Sequence, residues 1–179
     1  MSRVEKFIKD HEKLLQVVNS LKSQGKRLVL TNGCFDLLHV GHIRCLRGAK
    51  ALGDVLIVAV NSDKSMKKLK RTGRPIMPEA ERIEILEALE CIDYITLFSE
   101  ERLDRLLLIL KPHIHAKGTD YTEETVPERE TVISYGGKIA IVGDAKSHST
   151  TELMSYIAKI QQNEKHVHRK SGVRSQKSE

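Results

Sequence analysis

Tryptophan is absent from the 179 residues, and phenylalanine and tyrosine number only three and four. So small an aromatic set offers few platforms for stacked bases, which counts against a nucleic-acid-binding module. Cysteine is scarce as well. Cys34, Cys45 and Cys91 form an odd, widely spaced set without a CxxC pair, which argues against a disulfide or zinc framework and fits reduced cytosolic thiols. Long hydrophobic runs are missing too. The longest, such as 55–60 and 106–110, fall far short of the roughly 20 apolar residues a membrane helix needs. The N-terminal MSRVEKFIKDHEK has no apolar centre of the kind found in a secretory leader. A cytoplasmic protein with no membrane partner is expected.

Positive charge is in excess, with a net charge of +6. Such a balance suggests a polyanionic partner, but its placement narrows the choice. Residues 1–26 carry six basic and three acidic side chains, and residues 163–179 five and two, whereas residues 27–162 carry 19 of each. The body of the chain is therefore neutral, and no nucleic-acid partner is expected. Apolar residues at 40% and charged residues at 30% describe a soluble globular chain long enough for one domain with a real core.

Residues 3–24 show helical spacing, with Val4, Phe7, Ile8, Leu14, Leu15, Val18 and Leu21 on one broad stripe and Gly25 as a stop. Short apolar runs then alternate with helical patterns. Strands are expected at 27–31, 55–60, 94–98, 114–116 and 139–142, and helices at 41–52, 78–89, 100–110, in part at 123–135, and at 150–160. Strands that are apolar throughout and separated by helices indicate a parallel sheet covered on both faces. The expected fold is α/β, a three-layer Rossmann-like five-stranded parallel sheet. The expected organisation is an N-terminal amphipathic helix over 1–26, one domain over 27–162, and a flexible basic tail over 163–179.

Ligands of such sheets bind beyond the carboxyl ends of the strands. The first loop there is Thr31-Asn32-Gly33-Cys34-Phe35-Asp36-Leu37-Leu38-His39-Val40-Gly41-His42. A helix opens at Gly41, and its unpaired N–H groups and dipole favour an anion. His39 and His42 bracket that start and can point at the same anion. Gly41 permits close approach of a phosphate to the backbone. Two imidazoles so placed can stabilise charge that develops on a phosphoryl group. Zinc is a weaker alternative, since no further His or Cys follows at ligand spacing. Gly136-Gly137-Lys138 is followed by Ile139, so it is no Walker loop, and no GxGxxG follows the first strand.

The loop read over 61–75 holds Lys64, Lys67, Lys68, Lys70, Arg71 and Arg74, with no acid after Asp63. Such a run suits a triphosphate or a departing pyrophosphate, and Lys70 and Arg74 are the stronger candidates. Arg82 either pairs with Glu79 or Glu84 or reaches a phosphate. Lys117, Gly118, Asp120 and Tyr121 follow a short strand at the same sheet edge. Ser149-Thr150-Thr151-Glu152 has the form of a capping box, whose hydroxyls and free N–H groups also suit a nucleotide phosphate.

Taken together these stretches resemble the cytidylyltransferase-like nucleotidyltransferase superfamily, marked by HxGH after the first strand. The match covers roughly 27–160. The Asn61-Ser62-Asp63 stretch, the run Gly73-Arg74-Pro75-Ile76 through Pro78 and Arg82, and the run Lys117-Gly118 through Asp120-Tyr121 are similar to those of the heptose-1-phosphate adenylyltransferases. The chain departs from that branch at Val40, where Pro is frequent, at Arg71, where Gly is frequent, and in lacking Thr-Pro after Phe98. The resemblance implies an enzyme that moves AMP from ATP to a sugar 1-phosphate with release of pyrophosphate, giving ADP-heptose for lipopolysaccharide core synthesis. It implies catalytic roles for His39, His42 and Lys117. It implies nucleotide contacts from Thr31, Asn32, Gly33, Cys34, Phe35, Gly41, Lys70, Arg82, Gly118, Ser149, Thr150 and Thr151. Sugar-phosphate contacts or loop ordering fall to Asp36, Asn61, Asp63, Arg74, Asp120 and Tyr121. Mg²⁺ is expected on the nucleotide, without a dedicated protein metal site. A homodimer is compatible with the family, and the sugar kinase of the pathway is expected on a separate polypeptide. The alternatives are a glycerol-3-phosphate cytidylyltransferase, an FAD-synthase-like enzyme or, in another class, a nucleic-acid-binding module.

Overall fold

The computed structural model describes residues 5–69, 73–144, 154–157 and 159–160. Five strands form one parallel sheet: β1 (Leu28–Gly33), β2 (Val55–Asn61), β3 (Tyr94–Phe98), β4 (Ile114–Gly118) and β5 (Lys138–Val142), in the order β3-β2-β1-β4-β5. The helices are α1 (His11–Ser23), α2 (Val40–Lys50), α3 (Asp63–Leu69), α4 (Glu79–Glu87), α5 (Asp104–Leu110) and α6 (Arg129–Ser134). The expected three-layer α/β sheet is what forms. Every residue of β2 is buried, because helices cover both faces of a parallel sheet.

Side-chain alternation along each strand feeds two cores. Val29, Leu56, Val58 and Val60 pack with Leu46 and Ala49 of α2 and with Ile83 and Leu86 of α4. Leu28, Leu30, Ile57 and Ala59 face the other way, onto Leu14 and Val18 of α1, Leu106, Leu107 and Leu110 of α5, and Val132 of α6. Gly53 lets the chain turn tightly into β2: a Cβ there would come within 2.6 Å of the Arg27 carbonyl oxygen.

Three local readings change. The helix expected over 3–24 begins only at His11, because Asp10 caps it by accepting from the N–H groups of Glu12 and Lys13 at 2.8 and 3.2 Å. Ahead of the cap the chain is extended. Ile8 N–H donates to Ile95 O and Ile95 N–H to Lys6 O, both at 2.8 Å, so this segment pairs along the β3 edge of the sheet. Burying Leu14 and Val18 contributes about 1.5–3 kcal/mol each, against about 1 kcal/mol for a cap. Packing thus decides where α1 lies, and Asp10 decides where it starts.

The second change is α3, in the segment read as loop. Ser62 Oγ accepts from Ser65 N–H at 3.1 Å, and Met66 and Ser65 are fully buried, so the first half of the basic run is helical with Lys64, Lys67 and Lys68 on its exposed side. The third is the stretch 100–110, where the helix starts at Asp104. Of the final helix expected over 150–160, residues 154–157 and 159–160 are helical and the rest lie outside the described residues. Among the described residues no helix is long and apolar enough to cross a membrane.

Candidate active site

Between β1 and β4 the direction of sheet growth reverses, with β2 and β3 added on one side and β5 on the other. Such a switch point opens a crevice at the carboxyl ends of the two strands. Thr31, Asn32 and Gly33 end β1, and Lys117 and Gly118 end β4. Lys117 Nζ donates to Asn32 Oδ1 at 3.0 Å across the crevice and lies 4.8 Å from the centroid of the Tyr121 ring. The lysine and asparagine, 85 residues apart in sequence, thus meet only in the fold.

The loop from β1 to α2 is held by an unusual backbone. Phe35 has φ +50°, in the left-handed region that costs a side-chain-bearing residue free energy. Its ring folds back over Gly33, where a Cβ would sit 3.0 Å from the ring, so a side chain there would press on Phe35. The buried Phe35 ring lies 5.5 Å from the His42 ring. His39 takes the N-cap position of α2 in extended conformation, with Gly41 and His42 in the first turn. The two imidazoles stack with centroids 3.9 Å apart, tilted 36°.

His39 N–H donates to His42 Nδ1 at 3.3 Å. Accepting there puts the proton of a neutral imidazole on Nε2. Burial, then the neighbouring His39, push the pKa of His42 down to about 4, against a smaller opposing pull from Asp120. His42 is therefore neutral at pH 7 and a donor from Nε2, beside the N-terminus of α2, whose dipole favours an anion.

Asp36 organises the adjoining loop. Its buried carboxylate accepts from the N–H groups of Ile76 and Met77 at 2.8 and 3.0 Å and from the Arg74 guanidinium at 2.5 Å. Burial opposes its ionisation, but these bonds outweigh that effect and hold the carboxyl below its ordinary range. Arg82 is fully buried and ties three segments together. It donates to Met77 O at 3.1 Å, Cys34 O at 2.5 Å and Asp63 Oδ1 at 2.8 Å. To the open alternatives for Arg82 the structure adds a partner outside them, Asp63. Asn61 is buried as well, donating to Ser65 Oγ at 2.9 Å and facing the Cys34 thiol. Asp36, Asp63, Arg74 and Asn61 thus order the walls of the crevice. Asp120 and Tyr121 lie just past β4, near His42 and Lys117 respectively. Lys70, Ser149, Thr150 and Thr151 lie outside the described residues.

Sequence reasoning missed Glu128 and His115, both buried. Glu128 Oε2 is 3.6 Å from Lys117 Nζ and 3.6 Å from His115 Nε2. No spacing rule joins Glu128 to Lys117, and only the alternation of His115 and Lys117 on one face of β4 hinted at a shared environment. Among the described residues no three His, Cys, Asp or Glu side chains converge as a metal site. Asp36, Asp63 and Glu128 already face Arg74, Arg82 and Lys117.

A family model described as cytidylyltransferase-like matches residues 30–172. The bifunctional protein HldE of Pelobacter propionicus is 47% identical over 150 residues, covering 84% of this chain and 31% of that protein. Its counterpart in Geobacter sulfurreducens is 43% identical over 152 residues, covering 85% of this chain and again 31% of the relative. The chain therefore spans under a third of the length of these relatives. Among solved structures, a lipopolysaccharide core biosynthesis protein from Thermoplasma volcanium matches with TM-score 0.60 and 28% identity, over 68% of this chain and 100% of that one. A pantoate-beta-alanine ligase from Francisella tularensis shares the fold, with TM-score 0.56 at 18% identity over 80% of this chain and 69% of that one.

Proposed function

The chain belongs to the cytidylyltransferase-like family, and from that premise we propose that it is a nucleotidyltransferase which moves AMP from ATP to heptose 1-phosphate and releases pyrophosphate. The observation that carries the reading is the stacked His39–His42 pair at the N-terminus of α2, across the β1–β4 crevice from Lys117. The arrangement suits the charge of a triphosphate. The attacking group is an oxygen of the sugar phosphate, already ionised at neutral pH. It adds in line to the α-phosphorus, the bond to the β-phosphate oxygen breaks, and pyrophosphate leaves with the electron pair. Catalysis rests on alignment and charge stabilisation. His42 donates from Nε2, His39 stands beside it, Lys117 brings a positive charge, and the N–H groups opening α2 bind phosphate oxygens.

Mg²⁺ fits this donor set as an ion carried by the triphosphate, because Asp36, Asp63 and Glu128 face cationic partners already. When bound it neutralises phosphate charge. The choice of heptose rests on the motifs at Asn61–Asp63, Gly73–Arg82 and Lys117–Tyr121, supported by the likeness to the HldE relatives and to the lipopolysaccharide core biosynthesis protein of Thermoplasma volcanium. The step would supply ADP-heptose for lipopolysaccharide synthesis in the cytoplasm.

A pyrophosphate-release assay of the purified chain tests this, crossing ATP, CTP, GTP and UTP with heptose 1-phosphate, glycerol 3-phosphate and FMN. Release with ATP and heptose 1-phosphate is expected. Release only with CTP and glycerol 3-phosphate, or with ATP and FMN, would replace the substrates. Silence with every pair would refute the enzyme.

A further inference from the structure

Lys117 and Glu128 are among the most deeply placed ionisable side chains near the crevice, 8% and 5% exposed. Resting on the transferase reading above, we propose that Glu128 is a positioning residue whose buried carboxylate keeps the Lys117 ammonium charged and aimed at the nucleotide phosphates.

A lysine this buried tends to shed its proton, since desolvation disfavours the charged form. Burial does pull Lys117 below the ordinary lysine value, and the Glu128 charge and contact work against that pull. The geometry also fixes direction. Asn32 Oδ1 takes one ammonium proton at 3.0 Å, Glu128 Oε2 lies 3.6 Å from the same nitrogen, and the Tyr121 ring centroid is 4.8 Å from it. An ammonium has three donors, so after the bond to Asn32 donors remain for a phosphate oxygen.

Glu128 is itself braced. It stands at the N-cap position of α6, where its carbonyl accepts from Val132 N–H at 3.0 Å. His115, two residues before Lys117 on the same face of β4, places Nε2 3.6 Å from the same carboxylate oxygen, with Nδ1 3.3 Å from Leu30 O. Burial opposes ionisation of Glu128, but the His115 contact and the Lys117 and His115 charges outweigh it and hold its pKa down to about 2. The carboxylate is thus charged wherever the enzyme works, and the Lys117 charge beside it offsets its repulsion of phosphate. The other groups facing this lysine are the Cys45 thiol on α2, which burial raises, and the Tyr121 hydroxyl, raised by burial and by Glu128, with Asp120 beyond them near Cys45. Glu128 is the anion in contact with Lys117 at neutral pH.

The test substitutes Glu128→Gln, which keeps shape and removes charge. In the full chain with ¹³C-labelled lysine, the Lys117 Cε resonance, assigned with Lys117→Arg, is followed through a pH titration. Its midpoint is expected to fall by at least about one pH unit, the effect of losing an opposite charge within 4–6 Å. The alkaline limb of kcat/KM for pyrophosphate release should move down with it. In a Lys117→Arg background, where the side chain does not titrate, Glu128→Gln should leave that limb in place. An unmoved lysine midpoint, or a limb that moves equally in the arginine background, overturns the proposal. Should Glu128→Gln fail to fold, Glu128→Asp withdraws the charge by one methylene and should lower the midpoint less far; no change would again overturn it. If the parent chain releases no pyrophosphate with any substrate pair, the transferase reading fails, while the titration still decides the Glu128–Lys117 relation.

Discussion

The neutral state of His42 makes a prediction that can be read without substrate. Its folded pKa of about 4 lies below the value near 6.5 of an unfolded histidine. On acidification the unfolded chain therefore binds this proton first. The stability that His42 contributes is fully present above pH 6.5 and is lost as pH falls toward 4. For those two values the linkage relation gives a loss on the order of 2 kcal/mol at pH 5 and about 3 kcal/mol by pH 4. The perturbation is His42→Gln, whose amide oxygen can still accept from His39 N–H but does not titrate. Urea unfolding is measured at pH 8 and pH 5 for both proteins. His113 and His115 are also lowered, mainly by burial, and add to the acid loss in both, so the difference between the two slopes isolates residue 42. The parent should lose about 2 kcal/mol more than the variant over this interval. Equal losses would mean that His42 is not held neutral, and its assignment as an Nε2 donor would go with it.

Three further outcomes follow from the site. His39→Ala should lower kcat at least about a hundredfold, the usual cost of removing one donor to developing charge, with an unchanged circular dichroism spectrum; a near-parental rate would sink the mechanism. Arg82→Lys should cost on the order of 2–4 kcal/mol in urea unfolding, because an ammonium cannot reach the three acceptors that the guanidinium joins; equal stability would show that the Cys34–Asp63–Met77 junction is dispensable. Asp36→Ala removes the acceptor for Ile76, Met77 and Arg74, so trypsin should cut the basic segment 64–74 sooner and KM should rise more than kcat falls. An unchanged cleavage rate would contradict Asp36 as the anchor of that loop.

Much of this molecule is legible from local pattern alone. The apolar strands and intervening helices fix the parallel sheet, because continuous burial and helical spacing are properties of consecutive residues. The proposed phosphate end of the site is legible for the same reason: His39, Gly41 and His42 sit within four positions at a strand–helix junction. The start of α1 is not legible in the pattern, because Phe7 and Ile8 fit a helical stripe equally well and it is the Asp10 cap that sets it. The helix α3 was hidden by its lysines, since burial of Ser65 and Met66 depends on a neighbouring strand.

What the tertiary structure alone decided is how the charges pair. Asp36 and Arg74 are 38 residues apart, Arg82 and Cys34 48, and Lys117 and Asn32 85. No spacing rule reaches that far, because those distances are set by strand order and crossover. The same holds for protonation: a histidine is neutral, or a buried lysine stays charged, according to what the fold brings within a few ångströms of it. Sequence named the candidate residues, and three-dimensional packing set their surroundings and placed Glu128 beside Lys117.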